Sequence, residues 1–382
     1  MQTRSLILAI ISGAVLLSSC KKEGCTDPNA LNYDSNAKKD NGSCVFESEP
    51  VYNIPSSYNF TDANGNNTVS YSGQTERLDQ LEEMVALMDL GTTTIVNAQD
   101  LKDMFANTNG DGNGNFTFNS TKQFRDKCFA PDVQLFESWM DSLAVSSLSN
   151  GTTASEGQAG TVTSGTSTYL LGANGIEYNE LIEKGLMGAV FMYQSLNVYF
   201  GSGKMDVDNT SAVDPTNGKY YTTMEHHFDE AFGYFGVDPS FPSIIPTRFW
   251  GKYCNSQNAI LNSNADMMDN FLKGRAALSS SMYSDRDEAI AAIRREWEEI
   301  SAYQTISYID QAIGYFGTDQ AKFLHVLSEA YAFAWNLRYA PTETRKMTAT
   351  EHTALMALFN DNFWSMTIVD LNNIKAAINA KY

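Results

Sequence analysis

The sequence is short of positive charge. Its 382 residues hold 26 lysines and arginines against 45 aspartates and glutamates, for a formal net charge of −19. That balance argues against nucleic acid and against charge-driven binding to anionic lipid, because both need clustered cations. It suits a soluble exported surface, or a protein that handles cations. Strand signals are also missing, since no run alternates apolar and polar residues. The apolar run Leu6–Leu17 is too short to span a bilayer comfortably. There is no H-E-x-x-H and no G-x-S-x-G. Nothing pairs a metal-activated water with a general base, as a metallopeptidase requires. Calcium loops are poorly supplied too. The stretch 25–44 lacks the EF-hand pattern, and 107–115 has Asp111 as its single charge, so it reads as a plain loop.

What is present is apolar mass at helical spacing. Hydrophobic residues make up 43% and aromatics 12%, enough for a large core. One segment occurs twice. His227-Phe-Asp-Glu-Ala-Phe-Gly-Tyr-Phe-Gly-Val-Asp238 returns as Tyr308-Ile-Asp-Gln-Ala-Ile-Gly-Tyr-Phe-Gly-Thr-Asp319. The agreement is dense enough to indicate an internal duplication. Phe228, Ala231, Phe232 and Phe235 fall on one helical face. Gly236 and Gly317 sit where a helix ends in a left-handed cap. Gly233 and Gly314 lie inside the helices, which suggests another backbone coming close at both places.

Helical spacing recurs along the chain, over 74–90, around 101–105, and over 132–148, 176–201, 220–236, 248–261, 265–279, 285–317, 319–338 and 367–381. Thr348-Ala-Thr-Glu351 reads as a capping box. Within 176–201, Glu177, Glu180, Glu183 and Lys184 interrupt the apolar run, which makes it a buried core helix and not a membrane span. The stretch 150–168, rich in Gly, Ser and Thr, is expected to be a flexible insertion or long loop. The fold class expected is all-α: two related, bundle-like halves at roughly 74–262 and 263–382 within a helical domain 50–382.

The N-terminus has the parts of an address. Arg4 precedes the apolar run, which ends in Leu17-Ser18-Ser19-Cys20. This resembles a bacterial lipoprotein signal with its lipobox. The resemblance implies that 1–19 is a signal peptide removed before Cys20, and that Cys20 carries lipid. Lys21-Lys22-Glu23 follows without an aspartate. By analogy with bacterial sorting rules this favours the outer membrane, facing either the periplasm or the outside. The stretch 20–49 is then anchor and spacer. Cys25-Thr-Asp-Pro-Asn-Ala-Leu-Asn-Tyr33 through Cys44 looks like a short cysteine-bounded module of exported Bacteroidota proteins. An oxidising compartment permits a Cys25–Cys44 disulfide, and closing that loop is worth about 3 kcal/mol in the chain-entropy model. Cys128 and Cys254 are left over, either as a pair or as buried thiols.

Several segments together resemble the DUF4856 family of Bacteroidota lipoproteins. They are Gly185-Leu-Met-Gly-Ala-Val190, Glu225-His-His-Phe-Asp-Glu-Ala-Phe-Gly-Tyr234, Arg248-Phe-Trp250, His325-Val-Leu-Ser-Glu-Ala-Tyr-Ala-Phe333 and Leu337-Arg-Tyr339. That family is distantly similar to the imelysins, exported proteins of two packed helical bundles linked with iron uptake. Imelysins carry G-x-H-x-x-E. Here His227 and Glu230 match its histidine and glutamate, and Glu225 stands where the motif has glycine. The resemblance implies a metal role for this pair, or the peptidase role sometimes given to imelysins.

The residues point the same way. His226 and Glu230 are four apart and His227 and Glu230 three apart, so both pairs share a helical face. Imidazole and carboxylate ligate zinc and iron. Glu225 and Asp229, also four apart, repel unless a metal or a buried arginine such as Arg248 or Arg338 lies beside them. His325 and Glu329 form another such pair. His226, His227, Glu230, His325 and Glu329 are therefore the candidate ligands of a divalent metal, iron or zinc. They are expected to meet between the two halves. The alternative is a buried polar network in which these groups bond Tyr and Arg. The expected function is a lipid-anchored outer-membrane binding protein for iron or another metal, with an outer-membrane receptor as partner. Its alternatives are an imelysin-type metallopeptidase and a glycan-binding surface lipoprotein that uses aromatic platforms.

Overall fold

A computed structural model describes residues 21–45 and 52–382. The signal peptide expected at 1–19 and the lipidation expected at Cys20 lie outside the described residues. The chain divides into two units, one ending at Val51 and one running from Tyr52 to Tyr382.

In the first unit Cys25 and Cys44 are joined by a disulfide, with their Cα atoms 4.8 Å apart. Two short strands, β1 (Glu23–Gly24) and β2 (Lys39–Asp40), pair in parallel. Asp27, Asp34, Asp40 and Asn41 each accept from a backbone N–H two residues on. Those bonds are the turn chemistry that the Asp/Asn content dictates.

The second unit is helical. It begins with α1 (Ser72–Asp89) and α2 (Ala98–Ala106). The α1 stripe Leu78, Leu81, Met84 and Met88 is buried. Asn97 caps α2 through the Gln99 N–H, and Asn107 closes it in the left-handed region. Next come α3 (Val133–Ser147) and a hairpin of β3 (Gly160–Ser164) and β4 (Ser167–Leu171). The hairpin corrects the expected loop. Its composition is small and polar, but Thr161, Val162, Thr163, Thr168 and Tyr169 favour extended backbone, and Gly165 at φ +59° supplies the tight turn.

Helix α4 (Tyr178–Leu186) continues into two π-helical turns, Met187–Met192 and Gln194–Tyr199. This wider winding frees carbonyls, and other segments use them: Phe129 N–H donates to Ala189 and Trp250 Nε1 to Met187. Gly188 lies against Asn336, where a Cβ would sit 2.0 Å from Oδ1 of that residue. A short α5 (Ser202–Met205) and a ribbon of β5 (Ala212–Asp214) and β6 (Lys219–Thr222) lead to α6 (Thr223–Phe235). Thr222 and Glu225 form a full capping box, and Gly236 ends α6 at φ +76°.

The rest is α7 (Phe249–Leu261), α8 (Ser263–Ser279), the 33-residue α9 (Tyr283–Tyr315), α10 (Gln320–Asn336), α11 (Ala349–Met356) and α12 (Ile368–Asn379). The Thr348–Glu351 capping box forms as expected. Helix α9 packs along both α8 and α10, and α10 also lies on α4. One core runs through the unit. In it Phe228, Phe232, Phe235, Trp250, Phe271, Trp297 and Phe333 are all essentially inaccessible.

Residues 52–382 share this core as one compact unit, and the two copies of the repeat occupy unlike places in it. The first is α6, at the centre, where a Cβ on Gly233 would lie 2.7 Å from Tyr71 Cβ. The second covers the last turns of α9, where Tyr308, Ile309 and Ala312 are buried before the helix ends at solvent. Gly314 has open space around it and Phe316 is 39% exposed. The close approach expected at Gly314 does not exist. Cys128 and Cys254 are separate buried thiols.

Candidate functional site

The expected ligands fall into two clusters instead of one. Among the described residues, Glu177, Glu180 and His325 are the one group of metal-ligating side chains whose donor atoms lie within 4.8 Å of one another. His227 and Glu230 do not join His325 and Glu329, so the shared site expected between two halves is not formed. Glu177 and Glu180 were legible only as charges interrupting an apolar run.

Helices α4 and α10 build this site. Glu180 and Lys184, four apart, share one face of α4, and Glu177 is the extended residue just before its first turn. His325 and Glu329 face them from α10. His325 Nδ1 is 2.7 Å from Glu177 Oε2, and its Nε2 is 3.5 Å from Glu329 Oε2. Lys184 Nζ lies 2.6 Å from Glu183 Oε2, 3.0 Å from Glu180 Oε2 and 3.9 Å from Glu329 Oε1. Tyr308, the residue that replaces His227 in the second repeat, donates its hydroxyl to Glu329 at 2.7 Å. From the hairpin, Tyr169 stacks on the His325 ring with centroids 4.4 Å apart. Ser164 fastens that hairpin to Asp319 at the start of α10. A segment that composition marks as a loop thus forms the wall of the site.

Four carboxylates therefore meet two cationic groups here, in a largely buried setting. Burial raises Glu177 to about 7, against the opposing hydrogen bond from His325. Burial followed by the charge of Glu180 raises Glu329 to about 7. Burial alone would lower His325, but its bond to Glu177 and the surrounding carboxylates lift it to about 9. Burial opposes ionisation of Glu180 as well, yet Lys184 and His325 hold it below its ordinary value. The site thus retains protons near neutrality that a divalent cation can replace.

The second cluster is on α6. His227 Nδ1 is 2.9 Å from Glu230 Oε2, and Gln74 Nε2 donates to Glu230 Oε1 at 3.0 Å. His226 Nδ1 faces the Ser70 carbonyl at 2.8 Å, while its Nε2 is 4.0 Å from Glu230 Oε1. Glu225 and Asp229 belong to a third arrangement, centred on a buried arginine. Fully buried Arg275 donates Nη1 to Glu225 and Nε to Asp229, each at 2.8 Å, and Nη2 to the Thr68 carbonyl at 2.9 Å. Tyr58 and Ser70 complete the bonds of Asp229. A buried arginine was anticipated beside this pair, but Arg248 and Arg338 are engaged elsewhere. Arg248 bonds Asp79 and Glu82, and Arg338 lies 3.4 Å from Asp132. His352 bonds the Ala334 carbonyl, and burial lowers it to about 4.

No curated protein and no solved structure matches this chain. Residues 55–382, which span the whole helical unit but for its first residues, match the family model described as Domain of unknown function (DUF4856), and the chain belongs to that family.

Proposed function

We propose that this is an exported, lipid-anchored binding protein of the outer membrane. In this reading its helical body takes up a divalent cation, iron or zinc, on Glu177, Glu180 and His325. One observation carries it: an imidazole and two carboxylates bring their donor atoms within 4.8 Å. That mixed nitrogen and oxygen set suits iron and zinc. The excess of carboxylate over cationic charge supports it further. Lys184 is the competitor for Glu180, but its shortest contact is to Glu183 at 2.6 Å. Glu329, bonded to Tyr308, stands at the edge of the set. The imelysin likeness through His227 and Glu230 is compatible with metal acquisition.

No observation favours the peptidase or the glycan reading. His227 and Glu230 bond each other, and the aromatic faces lie mostly in the core. The lipobox Leu17-Ser18-Ser19-Cys20 supports anchoring. No helix among the described residues is long and apolar enough to cross a membrane.

Calorimetric titration of metal-stripped protein with zinc, iron(II) and manganese tests the site. Binding is expected in the parent, to be weakened at least about tenfold in His325→Ala, and to be retained in His227→Ala. Absence of binding in the parent would leave the cluster as a structural ionic network. Cys20→Ala should release the protein from the membrane fraction, and persistent membrane association would overturn the lipid anchor.

A further inference from the structure

A cavity of about 330 Å³ opens on the other cluster, where the first turns of α1, the segment around 122–127, Tyr199 and α6 meet. Arg77, Lys122 and Lys127 all line it. Their place on one cavity wall, two of them half-buried and one buried, sets them apart from the other unpaired cations of the chain. Among the described residues these three have no carboxylate in ion-pair contact, whereas Lys184, Arg275 and Arg248 have two or more each. Arg77 is only 6% exposed. Its Nε and Nη1 go to the carbonyls of Gln123 and Gly73, at 2.8 and 3.0 Å, so no anion balances its charge. A buried cation without a counter-charge is costly. Lys127 is half-buried and meets only the face of Tyr199, 6.0 Å from its Nζ. Burial, followed by the like charge of Arg77, holds this ammonium below the usual lysine range; Lys204 and Lys122 add to the effect, and Glu230 opposes it.

Glu230 is the one carboxylate on the cavity wall, and it is already committed to His227 and Gln74. It leaves the three cations without an ion pair and places an acceptor on the same cavity wall. We propose that this cavity binds a small polar molecule through an oxyanion group, carboxylate or phosphate. Arg77, Lys122 and Lys127 receive the oxyanion, and Glu230 accepts from a neighbouring hydroxyl of the same molecule. Charge-assisted bonds from a planar guanidinium and two ammonium groups match either oxyanion. The hydroxyl contact favours a hydroxylated ligand over a bare ion. The site is separate from the Glu177–Glu180–His325 cluster and does not depend on metal.

The test is calorimetric titration of the intact protein, in chelator, with inorganic phosphate, glycerol 3-phosphate and gluconate. Binding of at least one organic probe is expected, more tightly than inorganic phosphate and weakening with added salt. Lys127→Gln, on a half-exposed side chain whose loss spares the core, should weaken it at least about tenfold; His325→Ala should leave it unchanged. Preference for glycerol 3-phosphate identifies the phosphate arm, and preference for gluconate the carboxylate arm. No binding of any probe, or equal affinity in the parent and Lys127→Gln, overturns the proposal. Tighter binding of bare phosphate than of both organic probes overturns the role given to Glu230.

Discussion

Replacing His325 with glutamine is expected to flatten the loss of stability that the metal-free protein shows as pH rises from 6.5 to about 9. In the folded chain the imidazolium gains Glu177 at 2.7 Å, with Glu180 and Glu329 nearby, and these overcome burial to raise it from 6.5 to about 9. A raised pKa means that the fold holds the protonated form more tightly than the unfolded chain does. The stabilisation is therefore complete below 6.5 and lost as pH climbs to about 9. At about 1.4 kcal/mol per pH unit, the shift corresponds to roughly 3 kcal/mol. The contact with Glu177 enters that figure once, because the same pair also governs the carboxyl of Glu177. Glu177 and Glu329 act in the same direction at lower pH. Burial raises both from 4.5 to about 7, so their contribution falls as pH rises through that window. Urea unfolding in chelator, at steps from pH 6 to 10, measures the effect. The parent should lose about 3 kcal/mol across the histidine window, while the variant, less stable at the outset, loses much less. Parallel curves for the two proteins would refute the ion pair and with it the account of how protons are held in this site.

The other predictions concern packing. Arg275→Ala leaves Glu225 and Asp229 buried without their partner and should cost about 3–5 kcal/mol, read from denaturant midpoints. A loss below about 1 kcal/mol would mean the guanidinium is not the counter-charge of that pair. Gly188→Ala and Gly314→Ala should differ in sign. At Gly188 the new methyl meets Asn336 and should destabilise by about 1–3 kcal/mol. At Gly314 it meets nothing and should stabilise α9 by up to about 1 kcal/mol in thermal unfolding.

Local signals fixed much of the secondary structure before any tertiary contact was known. Apolar spacing located the helices other than the short α5 and α11, since a buried stripe must recur every three to four residues whatever it packs against. The Thr348–Glu351 box and the glycine at 236 mark helix ends because both act on backbone groups within a few residues. The pairs His227–Glu230 and His325–Glu329 were legible for the same reason, as neighbours on one helical turn. Tertiary structure decided everything that joins distant parts. Glu177 meets His325 across 148 positions of sequence, and Arg275 reaches Asp229 across 46. No spacing rule connects such residues, because their contact depends on how α4 lies on α10 and α6 on α8. The repeat shows the limit most plainly. Two segments that agree at seven of twelve positions yield a buried Gly233 and a Gly314 with open space around it, because one helix lies in the core and the other ends at solvent. Sequence set the local conformation of both copies, and burial was set by their neighbours.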